Sequence, residues 1–117
     1  MSNSGWIAVD LDGTLAHYDG WIAVTHIGIP IIPMVNRVKQ WLVEGKTVKI
    51  FTARVHGHGM PIIGGGVQDA KSPIEAWCLQ HIGQVLEITN VKDYGMLELW
   101  DDRAIQVGFN TGMPVGK

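Results

Sequence analysis

The chain has 117 residues, of which 46% are hydrophobic and 17% charged, with a formal net charge of −2 and a pI near 6.2. That length suits one domain over residues 1–117, and the apolar content supports a buried core and excludes a chain disordered by composition. The charge lacks the basic excess of a dedicated nucleic-acid binder. The single cysteine, Cys78, excludes an internal disulfide, and no apolar run approaches the roughly 20 residues of a membrane span.

The opening MSNSGW has no basic segment ahead of an apolar signal core, so a soluble cytoplasmic protein with no membrane partner is the expectation. Trp6 to Val9 is a short apolar run that stops at an acidic turn, as a buried parallel strand does. Residues 16–25, AHYDGWIAVT, place Asp19-Gly20 between two half-apolar runs and predict a β-hairpin. Met34, Val35, Val38, Trp41 and Leu42 recur at helical spacing, with Pro33 in the first turn and Gly45 past the end. VKIFT, 48–52, is a second buried strand. ARVHGHGMPIIGGGVQD, 53–69, has five glycines and no period, and reads as loop. Its His56 and His58 lack an evident third metal ligand; they read as loop histidines, with substrate contact as the alternative.

Ser72, Pro73 and Glu75 then read as N-cap, first helical residue and capping-box acid of a second helix. Ile74, Trp77, Cys78 and Ile82 line its apolar face, and Gly83 stops it. VLEIT, 85–89, and MLELW, 96–100, are further strands, and AIQVGF, 104–109, is a last one. This order predicts an α/β fold: a Rossmann-like three-layer α/β/α arrangement around a mostly parallel sheet, with a small hairpin flap and no large cap.

Three of these strands end in polar residues: Asp10 and Asp12 after the first, Thr52 after the second, Asp101 and Asp102 after MLELW. Carboxyl ends of parallel strands share one edge, where ligands bind. Four carboxylates and a hydroxyl meeting there make a hard-oxygen site suited to Mg²⁺, which also answers the cost of crowding like charges. Read alone, Asp101-Asp102 is equally a surface turn before Arg103, and Thr52 a plain strand-end residue. Arg54 reads either as a ligand for substrate phosphate or as half of a structural ion pair. Trp21 on the flap is the tryptophan suited to stacking on a substrate.

The motifs Asp10-Leu11-Asp12-Gly13-Thr14, Thr52 closing KIFT, Lys92 in NVKD, and Asp101-Asp102 in LWDD span nearly the whole chain. Their order resembles that of the haloacid dehalogenase-like superfamily, in its capless phosphatase branch. The resemblance implies Asp10 as the nucleophile that forms an aspartyl-phosphate and Asp12 as general acid and base. It implies Thr52 and the main chain at Gly13, Thr14, Ala53 and Arg54 around the phosphate, with Lys92 offsetting charge. It also implies Mg²⁺ held by Asp10, Asp101 and Asp102, with the Asp12 carbonyl touching it. An acid at Asp12 matches phosphate-ester hydrolysis, because a halide leaves without a proton. Lys92 lies nine residues before Asp101, a short spacing, and Lys71 is its rival. Capless members admit large substrates or borrow a lid from a partner subunit, so a homo-oligomer is one expectation. FTAR resembles the phosphatase part of polynucleotide kinase-phosphatases. That sets nucleotides or 3′-phosphate ends beside a generic phosphate monoester, although the charge does not favour long nucleic acids. A non-catalytic metal- or phosphate-binding module and a stable phospho-acceptor domain are the readings from other classes.

Overall fold

The computed structural model describes residues 5–55, 60–61, 67–68 and 70–116. Along the chain come β1 (Trp6–Val9), α1 (Ile32–Val43), β2 (Val48–Phe51), β3 (Met60–Pro61), β4 (Val67–Gln68), α2 (Lys71–His81), β5 (Glu87–Thr89) and β6 (Met96–Trp100). Four strands form one sheet in the order β5-β2-β1-β6, every pair parallel. β1 is buried along its whole length, as its uninterrupted apolar sequence requires of a central parallel strand. Among the described residues, no helix is long and apolar enough to cross a membrane.

Ile7, Val9, Ile50 and Ile88 share one face of the sheet and pack in a single core with Val38 and Trp41 of α1 and Ile74 and Cys78 of α2. The connections β1-α1-β2 and β2-α2-β5 step the same way across the sheet, so the common hand of such crossovers accounts for both helices lying on that face. The described residues therefore make two layers, helices on sheet, where three were expected. No helix joins β5 to β6, and residues 90–95 run between them on the opposite face. There the Trp6 indole donates to Asp93 Oδ1 at 2.8 Å, and Lys49 Nζ sits 4.5 Å above the indole.

α1 ends as its glycine predicts. Gly45 has φ +83°, and the Gly45 and Lys46 amides donate to the Leu42 and Trp41 carbonyls. α2 starts earlier than expected: its N-cap is Ala70, with no side-chain cap bond, and Ser72 and Pro73 lie inside the helix. Its stop at Gly83, φ +103°, agrees with the sequence.

Three expected elements change. The 16–25 hairpin does not form; Ala16 bridges Pro30 instead, and His17 N–H donates to the Ile29 carbonyl at 2.8 Å. Asp19-Gly20 does turn the chain, with Gly20 at φ +122°. The carbonyls beyond it, at Val24 and His26, are taken by the Arg54 guanidinium rather than by a partner strand. Within 53–69, read as loop, β3 and β4 pair antiparallel; His56 and His58 lie outside the described residues. Residues 104–109 add no strand to the sheet. They fold back on themselves through one bridge, Val107 to Pro114, around a turn with Asn110 at φ +62°.

Candidate active site

The site starts from the turn after β1. The Leu11 carbonyl accepts the amides of Leu15 at 3.0 Å and Ala16 at 2.8 Å, while the fully buried Leu11 and Leu15 side chains anchor the turn in the core. Gly13 takes φ +88°, and a Cβ there would lie 2.8 Å from Asp102 Oδ2. Glycine thus supplies the left-handed backbone and the space that brings Asp102 against the turn.

β6 lies beside β1, and the Asp10 amide donates to the Trp100 carbonyl at 2.9 Å. Trp100 packs edge-on to Trp41 of α1 and under Arg37. Asp101 and Asp102 follow directly, and the Asp101 carboxylate accepts the Arg103 amide at 2.7 Å. One oxygen each of Asp10, Asp101 and Asp102 lie within 4.8 Å of one another. The Thr14 hydroxyl sits between two of them, 3.3 Å from Asp10 Oδ2 and 3.3 Å from Asp102 Oδ1. Burial first, then the charge of Asp101 and the hydrogen bond and charge of Asp102, push the Asp10 carboxyl up from 3.8 to about 7. These three oxygens fit a hard divalent cation, which would offset the like-charge part of that rise.

Asp12 stands apart from that trio. Arg54 Nε donates to its Oδ2 at 2.7 Å and Nη2 to its Oδ1 at 2.9 Å. Arg54 also donates to the Val24 and His26 carbonyls at 3.1 and 2.8 Å, and its side chain is only 5% exposed. Of the two readings of Arg54, the ion pair is the one seen: its guanidinium is committed to the protein. The Asp12 carboxylate lies with Arg54 rather than in the acidic trio.

Asp10, Asp12, Asp101 and Asp102 all line one cavity of about 590 Å³, together with Thr52 and Ala53. Thr52 is buried, its amide donates to the Thr89 carbonyl, and its hydroxyl oxygen accepts the Arg54 amide at 3.1 Å. That leaves the hydroxyl proton to donate. Gly13 and Thr14 line an adjoining cavity of about 320 Å³ that shares Asp101 and Asp102. Lys92, three residues past β5, is exposed and lines neither cavity. Lys71 is likewise exposed at the start of α2.

Sequence reasoning missed three lining residues: Tyr18, Phe51 and Arg103. Arg103 carried a signal, since it directly follows the acidic pair and so must leave the same strand end. Phe51 carried one too, standing beside Thr52. Tyr18 had none, because its place depends on the path of an irregular loop. Among the described residues lining this cavity, Arg103 is the cation left beside three carboxylates once Arg54 is paired with Asp12, so an anionic ligand needs a further cation here. No family model matches this chain, and no curated protein or solved structure matches it.

Proposed function

We propose that the chain is a cytoplasmic, Mg²⁺-dependent phosphatase of the capless haloacid dehalogenase-like type, built on a Rossmann-like sheet, that hydrolyses a phosphate monoester through an aspartyl-phosphate on Asp10. The observation that carries this reading is the meeting of Asp10 with Asp101 and Asp102 in a cleft that also holds Asp12. An Asp10 carboxylate oxygen attacks phosphorus as the bond to the ester oxygen breaks, and the leaving alkoxide takes the proton that Asp12, entering the step as the carboxylic acid, carries. Asp12 then takes a proton from the water that splits the acyl phosphate, which releases phosphate and restores Asp12 as the acid and Asp10 as the carboxylate. Arg54 orients Asp12 by two hydrogen bonds, one to each oxygen, and each oxygen keeps a second lone pair that can take a proton. Thr52 and the Ala53 main chain border the phosphate. Mg²⁺ on Asp10, Asp101 and Asp102 would supply the positive charge that the cleft lacks.

The test is release of inorganic phosphate from an aryl phosphate with Mg²⁺. Turnover should vanish with a chelator and fall at least about 10⁴-fold in Asp10→Asn while the fold persists. Full activity in Asp10→Asn would rule out the mechanism. The exposed position of Lys92, outside the cleft, favours a second reading: a non-catalytic module that binds metal or phosphate. Calorimetry separates the two, because a module gives saturable heat with a phosphate ligand and releases no phosphate.

A further inference from the structure

The cleft has an aromatic side as well as an acidic one. Trp21 and Tyr18 line the same cavity as Asp10, and they remain 48% and 43% exposed. Large aromatic rings left in water beside a charged centre forgo the burial that would stabilise them, unless a ligand covers them. Trp21 is also held in place. The Arg54 guanidinium lies 4.9 Å from its ring centroid, and that same guanidinium holds Asp12 and the Val24 and His26 carbonyls. The loop carrying Trp21 is tied at its far end, where the Trp77 indole donates to the Gly28 carbonyl at 2.9 Å. A Cβ on Gly28 would collide with the His17 carbonyl oxygen, so the two arms of the loop run in close contact. The loop is therefore a wall tied at both arms, with the Trp21 ring seated on Arg54. A cavity of about 590 Å³ exceeds what a bare phosphate fills and falls within the roughly 300–1,000 Å³ of ligand pockets.

We infer that Trp21, with Tyr18, forms a stacking wall that selects phosphate monoesters whose leaving group carries a planar ring, nucleoside monophosphates being the small-molecule case. This rests on the phosphatase reading and deepens it to a substrate class. Stacking on an aromatic side chain tolerates any base, because every base offers a π-face. Arg54 covers one region of the indole and fixes Asp12, so the ring and the proton donor are set by one side chain. The wall acts by orientation: a stacked base places its phosphate at the acidic edge.

The decisive pair is adenosine 5′-monophosphate and ribose 5-phosphate, which share the same primary alkoxide leaving group and differ by the base. The wild-type protein with Mg²⁺ should show kcat/KM for the nucleotide about tenfold or more above the sugar phosphate. That ratio should collapse toward one in Trp21→Ala and be largely kept in Trp21→Phe. Equal turnover of the two, unchanged in Trp21→Ala, overturns the stacking wall and leaves the phosphatase reading standing. If neither is hydrolysed, the phosphatase reading fails, and calorimetry with the same pair judges the wall. Tighter nucleotide binding that Trp21→Ala removes supports it, and equal or absent binding overturns it. A 3′-phosphorylated oligonucleotide distinguishes free nucleotides from strand ends as the source of the ring, and preference for either supports the wall.

Discussion

Two aspartates separated by one leucine sit in opposite environments. Asp10 faces Asp101 and Asp102, and its carboxyl is raised to about 7. Asp12 faces a buried arginine that grips both of its oxygens. The turn after β1 therefore splits the cleft into an acidic half that invites a cation and an arginine-pinned half that carries its own. Two residues of the same type, two positions apart, acquire different chemistry because the turn directs them to different neighbours, brought in by β6 on one side and by the residues after β2 on the other.

The arginine-pinned half should respond most strongly to substitution. Arg54→Ala removes the partner of Asp12 and strands two carbonyls. It should cost about 3–5 kcal/mol in a urea titration, as breaking a buried pair does. Arg54→Lys should recover only part of this, because an ammonium cannot make the two-point contact. An Arg54→Ala protein as stable as wild type would mean that the loop 17–29 is held by other contacts.

The acidic half should reveal itself through pH. The folded chain holds the Asp10 proton more tightly than the unfolded chain does. The stability this contributes is full below about pH 4 and is lost as pH rises through about 7. Metal-free protein should therefore denature at lower urea at about pH 8 than at about pH 5, and both Mg²⁺ and Asp10→Asn should flatten the difference. A metal-free wild type with no such drift would argue against crowding at Asp10.

A smaller effect is expected where the halves join. Gly13→Ala strains a backbone at φ +88° and sets a methyl against Asp102. It should cost about 1–2 kcal/mol by thermal denaturation. It should also weaken Mg²⁺ binding, read by calorimetry, because Asp102 must retreat. Unchanged Mg²⁺ affinity would show that Asp102 does not need that approach.

Much of this was legible beforehand. The apolar run Trp6–Val9, the period of Met34, Val35, Val38 and Trp41, and the stops at Gly45 and Gly83 all lie within a few residues of the structure they specify. The acidic pairs were legible as strand ends. The hairpin at 16–25 misled because Asp19-Gly20 specifies a turn but not what the flanking arms bond to: Ala16 and His17 paired with residues 29–30, and Arg54 took the Val24 and His26 carbonyls. The strand at 104–109 misled because its apolar residues suit a sheet edge, yet the segment pairs with itself near Pro114. Ser72 and Pro73 misled as N-cap and first helical residue: the helix took up Lys71 as well, and its N-cap is Ala70, with no side-chain cap bond.

Local sequence set the four strands of the sheet and the helix periods, because those depend on residues close along the chain. The order β5-β2-β1-β6 was beyond it, and that order alone carries Asp101 and Asp102 to Asp10 across 91 and 92 positions. The pairing of Asp12 with Arg54, 42 residues away, was equally hidden. A carboxylate's partner is chosen by strand adjacency and by what burial leaves without water, and neither is written in the residues beside it.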